Sequence, residues 1–167
     1  MKYKITKKQQ NSRKCLVCGM QNDLGLKAGF YEIENGEIVS IFTPLEEHQS
    51  YPGRLHGGIA GAILDETIGR TVMIDNEDTW GVTVELNLKY HKPVPLDQKL
   101  RVVGRITRDS RRIFEGTGEI LLPDGQIAVS AWGKYMKMPI SKISDWNAEG
   151  EEWQIVDFDD EPEEIEV

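Results

Sequence analysis

A glycine-rich turn that runs directly into an apolar helical stretch dominates the sequence between Pro52 and Glu66. Glycine suits such a turn because the backbone must bend tightly or let another group approach closely. The first N–H groups of the helix, near Gly57 and Gly58, lack partners within the helix and carry partial positive charge, so they can stabilise a polarised carbonyl or an anion. We therefore predict one helix from about Gly58 to Ile74, with a binding turn at its start.

Two adjacent acids in this helix differ in their surroundings. Asp65 lies seven residues after Gly58, and seven steps of roughly 100° return it to the same helix face. Its neighbours one turn away are small or apolar, so burial is expected to raise the pKa of the Asp65 carboxyl. Glu66 lies on another face, where Arg70 is expected as its surface ion-pair partner. Asp65 is therefore the candidate reactive acid, although an ordinary polar role on the helix stays open.

Alternating apolar and polar residues predict strands on both sides of the helix. Asn35-Gly36 between two apolar runs is the strongest short signal for a β-hairpin. Residues 82–90 alternate strictly, as in a strand with one face on a core. The six predicted strands span residues 28–33, 38–42, 82–90, 100–107, 112–122 and 126–138. Two strands, one long helix and four strands predict an α+β domain with a single helix against an antiparallel sheet.

The two ends of the chain differ in charge from its middle. Residues 1–14 carry six bases and no acid, whereas residues 145–167 carry eleven acids and no Lys or Arg. Such ends are expected to be flexible, with the last residues mobile. The predicted division is a basic arm with a C-x-x-C motif over residues 1–23, a domain over 24–140 and an acidic, partly disordered tail over 141–167.

Composition argues against several classes of protein. A formal net charge of −8 argues against nucleic-acid binding. No run of about 18 apolar residues is present, so no transmembrane helix is predicted. The N-terminus lacks the apolar segment of a signal peptide, which favours a cytoplasmic location.

Cys15 and Cys18 form a C-x-x-C motif, which is half of a zinc site. The other half would be a second such pair or two histidines, and the chain offers only His48, His56 and His91. A turn with two partly buried, reduced thiols is therefore favoured over a metal site. The sequence predicts no metal and no organic cofactor.

Four segments resemble a known family. They are Glu46-Glu47-His48, Gly53-x-Leu55-His56-Gly57-Gly58, Asp65, and Gly81-Val82-Thr83-Val84-Glu85-Leu86-Asn87-Leu88-x-Tyr90. Together they resemble the hotdog-fold acyl-CoA thioesterases of the phenylacetic-acid-degradation (PaaI) type, within the 4-hydroxybenzoyl-CoA thioesterase superfamily. The resemblance covers about residues 24–138. It implies a hotdog fold, in which a curved antiparallel sheet of about six strands wraps around one long central helix.

The resemblance also implies a site and an assembly. The amide of Gly57 would polarise the thioester carbonyl, and Asp65 of the other subunit would be the nucleophile or the general base for water. Thr83 stands where relatives hold the attacking water with a hydroxyl, and His56 would position the thioester. Further substrate-binding candidates are Gly58, His48 and Ser50. The active protein would be a homodimer or homotetramer with its sites between subunits.

Simpler roles compete with these assignments. His56 could cap the helix or satisfy a turn, and Thr83 is a favourable strand residue that needs no function. His48 and Ser50 are loop residues suited to local hydrogen bonds, and Ser50 replaces an Asn found in many relatives.

The predicted reaction is hydrolysis of an acyl-CoA thioester to free acid and CoA. The main alternative is a non-catalytic hotdog protein that binds acyl-CoA as a sensor. A hotdog dehydratase or hydratase is less well matched, since those enzymes typically carry a His-Phe-Pro-type turn where this chain has Leu55-His56-Gly57-Gly58. The acyl group, and the choice between CoA and acyl carrier protein, are left open.

Overall fold

The computed structural model describes residues 1–143 and 152–167. The strands are β1 (Lys2–Lys8), β2 (Asn11–Ser12), β3 (Gly29–Ile33), β4 (Ile38–Phe42), β5 (Thr79–Tyr90), β6 (Leu100–Asp109), β7 (Ile113–Leu121), β8 (Ile127–Pro139), β9 (Trp153–Gln154) and β10 (Glu164–Glu166). The helices are α1 (Gly57–Gly69) and α2 (Ile140–Ile143), and 3-10 turns span Glu46–His48 and Arg70–Ile74.

Eight strands form one antiparallel sheet in the order β10-β1-β3-β4-β6-β7-β8-β5. Helix α1 contacts the five strands from β4 to β5 in this order, so one main helix packs on one large sheet. This confirms the predicted α+β hotdog architecture. The expected number of about six strands is wrong, because both ends of the chain add a strand. The small strands β2 and β9 pair separately.

The core lies between α1 and the sheet. Ile63, Leu64 and Ile68 on α1 are fully buried. The helix approaches β7 closely at two glycines. A Cβ added at Gly116 would lie 2.7 Å from a side-chain atom of Ile68, and one added at Gly118 would lie 3.0 Å from another. These two glycines therefore fix how deeply the helix sits on the sheet.

The N-terminal arm, expected to be flexible, is a strand of the sheet. Strand β1 pairs with both β3 and β10. Its apolar residues alternate with its bases, and Tyr3 and Ile5 pack on a second core cluster that includes Tyr31 and Ile33. The alternation, rather than the run of charge, decides the local structure because it gives the strand an apolar face.

The end of the acidic tail is also ordered, contrary to the expectation of mobile last residues. Glu164–Glu166 form β10, in which Ile165 is buried opposite Tyr3. An apolar residue between two acids gives a short strand one buried face and one charged face. Residues 144–151 of the predicted tail lie outside the described residues.

Strand β5 is an edge strand that follows α1 and pairs only with β8 in the described sheet. None of its residues is buried, and Val84 at its middle is 56% exposed. A long edge strand with exposed apolar residues is a surface suited to pairing with another chain.

Among the described residues, no helix is both long and apolar enough to span a membrane.

Candidate active site

The start of α1 is built by His56 and two glycines. His56 is the N-cap, and its Nδ1 accepts the N–H of Gly58 at 2.9 Å. The Nε2 atom must therefore carry the proton of a neutral His56 ring. Gly57 is the first helical residue, and in the described chain no loop carbonyl or side chain accepts its N–H. The turn thus leaves the N–H of Gly57 open as a helix-terminal donor.

The last residue of β5 contacts the backbone carbonyl of Gly57 in this turn. The Tyr90 hydroxyl donates to the backbone oxygen of Gly57 at 2.6 Å. Gly57 and Tyr90 line a depression of about 400 Å³ together with Ser50, Arg54 and Lys92. Ser50 therefore lines the same depression as Gly57.

His48 does not fit its predicted substrate contact. The side chain is buried, its Nδ1 accepts the N–H of Leu45 at 2.9 Å, and its Nε2 lies 2.8 Å from the carbonyl oxygen of Leu24. Since Nδ1 accepts, Nε2 carries the proton and donates it to Leu24. Both ring nitrogens are thus used to brace the loop before α1, so the simpler local role applies.

Asp65 lies two turns further along α1, where it meets two hydroxyl groups. The Thr83 hydroxyl lies 2.9 Å from Oδ1 and 3.1 Å from Oδ2, and the Tyr135 hydroxyl lies 3.1 Å from Oδ1. Burial raises the pKa of the Asp65 carboxyl above its ordinary value, whereas the hydrogen bonds from Thr83 and Tyr135 act to lower it. The result is a partly buried carboxylate that two donors hold in one orientation.

Tyr135 is a site residue that the sequence did not indicate. It is fully buried on β8, and its ring stacks on Phe114 at a centroid distance of 5.0 Å. A Cβ at Gly133 would lie 2.4 Å from this ring, so that glycine leaves the space that Tyr135 fills. The surroundings of Asp65 are therefore less apolar than expected. Helical spacing indicates its neighbours on α1 but not the residues of β5 and β8 that contact it.

Within one chain the open N–H and the carboxylate are far apart. Asp65 follows Gly57 by eight residues on a continuous helix, which is about 12 Å at 1.5 Å per residue. Asp65 and Thr83 line a cavity of about 250 Å³, whereas Gly57 and Ser50 line the other depression. One chain therefore brings Asp65 close to Thr83 and places Gly57 and Ser50 at one depression. The two pairs of residues are at separate places on that chain.

The sequence and the fold are similar to those of known proteins. Residues 52–129 match the thioesterase superfamily. The matched segment runs from the turn before α1 into β8, so this part of the chain is similar to the domain of that superfamily. Acyl-coenzyme A thioesterase THEM4 from Mus musculus is 30% identical over 112 residues, which are 66% of this chain and 45% of that protein. The chain thus spans about half the length of this relative.

Solved thioesterase structures share the fold of the domain. The crystal structure of a thioesterase superfamily protein has 28% identity and a TM-score of 0.68, covering 74% of this chain and 60% of its own. A Streptococcus mutans protein, solved bound to acetyl CoA, has 21% identity and a TM-score of 0.56, covering 62% of this chain and 82% of its own. The second likeness shows the fold alone.

A second polar cluster lies on the neighbouring face of helix α1. Glu66 was predicted to be a surface charge, but its partner Arg70 is only 4% exposed, with Nη2 2.8 Å from Glu66 Oε1. The predicted pair is therefore present but buried. It is buried because the N-terminal segment covers it, with Cys18 Sγ 3.2 Å from Arg70 Nη2 and Cys15 Sγ 3.1 Å from Glu66 Oε2.

Proposed function

We propose that this protein hydrolyses an acyl-CoA thioester to a free acid and CoA. The observation that carries the proposal is the Asp65 carboxylate, which the hydroxyls of Thr83 and Tyr135 orient on a helix whose first N–H is open. The likeness to a named acyl-CoA thioesterase supports the substrate class.

In the proposed reaction, a water molecule attacks the thioester carbonyl carbon and gives a proton to Asp65, with the Thr83 hydroxyl helping to hold the water. The carbonyl oxygen becomes an oxyanion, which the N–H of Gly57 stabilises with the partial positive charge of the helix terminus. When the oxyanion collapses, the carbon–sulfur bond breaks and the CoA sulfur leaves with its electron pair. That sulfur then takes the proton from Asp65. In the nucleophilic variant, Asp65 attacks the carbon itself, and the carbon–sulfur bond breaks so that CoA leaves as a thiolate. Water then cleaves the resulting anhydride, which regenerates the Asp65 carboxylate and supplies the proton that the thiolate takes up.

This reaction requires two subunits. An attacking group and an oxyanion donor must both lie near one carbonyl, within about 3 to 3.5 Å of the reacting atoms, and the two groups of one chain are too widely separated. Two-fold pairing along the exposed edge strand β5 would place the helices antiparallel, with Asp65 of one subunit facing Gly57 of the other. We therefore propose a homodimer, or a tetramer built from such dimers, with composite sites.

The depression beside Gly57 also contains positively charged side chains that could bind the phosphates of CoA. Arg54 and Lys92 line it, and cationic side chains bind phosphate oxygens by charge-assisted hydrogen bonds. We assign the phosphates of CoA to this side and the acyl group to the side of Asp65. A cytoplasmic location, as the sequence predicts, stays part of the proposal.

The direct test is thiol release from a panel of aryl, short-chain and medium-chain acyl-CoAs, followed with a thiol reagent and paired with calorimetric binding. Release from at least one class would support hydrolysis, and the preferred class would begin to define the acyl pocket. Binding without release from any member would overturn the proposal in favour of an acyl-CoA sensor. A parallel series of acyl-carrier-protein thioesters distinguishes the two carriers.

A further inference from the structure

The C-x-x-C motif takes no part in the proposed hydrolysis, yet the fold brings it to a defined chemical partner. The Sγ atoms of Cys15 and Cys18 and a carboxylate oxygen of Glu66 all lie within 4.8 Å of one another. The cysteines come from the turn after β2 and the acid from α1, so the cluster forms only when residues 11–28 fold over the helix. Three ligand atoms at this spacing can close around a single ion.

The backbone of the cysteine turn is arranged around the two sulfur atoms. The N–H of Val17 donates to Cys15 Sγ at 3.3 Å, and the N–H of Ser12 donates to Cys18 Sγ at 3.4 Å. These two backbone N–H groups hold the sulfur atoms in fixed positions. The turn tolerates only glycine at position 19, because a Cβ there would lie 2.4 Å from the carbonyl oxygen of Cys15.

The charges of the cluster match a divalent ion. Two thiolates and the Glu66 carboxylate carry three negative charges, and the buried guanidinium of Arg70 supplies one positive charge beside Cys18 and Glu66. A divalent cation makes the group neutral, whereas the fully deprotonated group without one would leave two buried negative charges uncompensated. Glu66 uses Oε1 for Arg70, and its Oε2 accepts the S–H of Cys15, so loss of that proton on metal binding would free Oε2 as a ligand.

We propose that Cys15, Cys18 and Glu66 form a zinc-binding site. Two sulfur ligands and one carboxylate suit Zn²⁺ better than the oxygen-preferring Mg²⁺ or Ca²⁺. Binding forms two zinc–sulfur bonds and releases any thiol protons to solvent. Cys15 and Glu66 line the cavity of about 250 Å³ beside Asp65, so the fourth ligand position opens to that cavity and takes water.

The ion would join the N-terminal segment to α1 at the residue that follows Asp65. Its predicted effect is on stability, since a ligand that binds only the folded chain raises the unfolding temperature. This inference goes beyond hydrolysis and does not depend on it, because the test below reads metal binding and not turnover.

The test is titration of the reduced, metal-free full chain with Co²⁺, a spectroscopic substitute for Zn²⁺. We expect one Co²⁺ per chain, a sulfur-to-cobalt charge-transfer band, and loss of the band when Zn²⁺ is added. X-ray absorption of the zinc form should give two sulfur ligands at about 2.3 Å. Zn²⁺ should also raise the unfolding temperature, and a chelator should reverse that change.

Variants assign the ligands. Cys15→Ser and Cys18→Ser should each abolish high-affinity binding, and Glu66→Gln should weaken it at least tenfold while keeping the two-sulfur band. Glu77→Gln removes a carboxylate that is exposed and outside the cluster, so it should bind like the wild type. Circular dichroism verifies folding, and Cys15→Ser is the mildest change because Cys15 is only partly buried.

No charge-transfer band in the folded wild type, or a band unchanged in both cysteine variants, would overturn the proposal.

Discussion

The hydroxyl of Thr83 lies 2.9 Å from Oδ1 of Asp65, and this contact joins the edge strand β5 to the central helix. Thr83 is exposed whereas Asp65 is half-buried, so the pair stands at the border between solvent and the core. A water molecule bound at this border could reach both groups. The contact therefore links the part of the fold that faces a second subunit to the group proposed to do the chemistry.

Replacing Thr83 tests that link. Thr83→Val keeps the shape and strand preference of the side chain but removes its donor, and kcat should fall roughly ten- to hundredfold because a hydrogen bond to a charged group is lost. Thr83→Ser keeps the hydroxyl and should retain most of the activity. Equal kcat values for the Val and Ser variants would show that the hydroxyl is not used.

Tyr135→Phe removes the second donor to Asp65. We expect a fall in kcat of about tenfold with KM little changed, and a loss of about 1 kcal/mol in the free energy of unfolding, because one buried hydrogen bond disappears. The measurements are steady-state kinetics and denaturant unfolding. Tyr31→Phe is the matched control, since Tyr31 is also buried but lies on β3 away from Asp65. A control with the same loss of kcat would contradict a positioning role for Tyr135.

Gly57→Pro removes the N–H proposed to stabilise the oxyanion and adds a ring whose Cβ lies near Tyr90. Proline is well tolerated at the first helical position, and His56 already has the extended conformation, φ −62° and ψ 133°, that precedes proline. The helix should therefore persist while kcat falls by about 10² to 10³. Gly57→Ala adds a Cβ near Tyr90 but keeps the N–H, so it is the control and should lose far less. Indistinguishable Pro and Ala variants would exclude the amide as the oxyanion donor.

Mixing two inactive variants tests whether the site is shared between subunits. An Asp65→Asn chain and a Gly57→Pro chain, refolded together, should form heterodimers with one intact composite site. For random mixing in a two-fold dimer, about a quarter of the wild-type activity should return. Activity that stays at the level of the separate variants, although native mass spectrometry detects the heterodimer, would place both groups of each site on one chain.

Much of the fold could be predicted because the deciding patterns are local. The alternation in β5, the Asn35-Gly36 turn and the glycine-to-apolar transition at Gly57 each specify their own element. Strand β1 does not follow from a local pattern, because its bases suggest a charged arm while the strand pairs with residues far away in sequence. An order of eight strands depends on such long-range partners, which no local pattern contains.

The site could be predicted only in part, for the same reason. Asp65 and Thr83 could be chosen from their motifs, and they meet in the structure. Tyr135 could not, because its contact with Asp65 spans 70 positions in sequence. The burial of Arg70 was missed because helical spacing predicts its partner Glu66 but not the segment that covers both.

The most direct measurement is kcat of Asp65→Asn with the best acyl-CoA from the panel, beside acyl-CoA affinity from calorimetry. The amide is nearly isosteric but cannot take a proton from water, so kcat should fall by about 10² to 10⁴ while affinity and folding are kept. Asp159→Asn, which removes an exposed carboxylate in the segment before β10, is the matched control and should turn over normally. Normal turnover by Asp65→Asn would contradict the account, since the chemistry would then belong to another group.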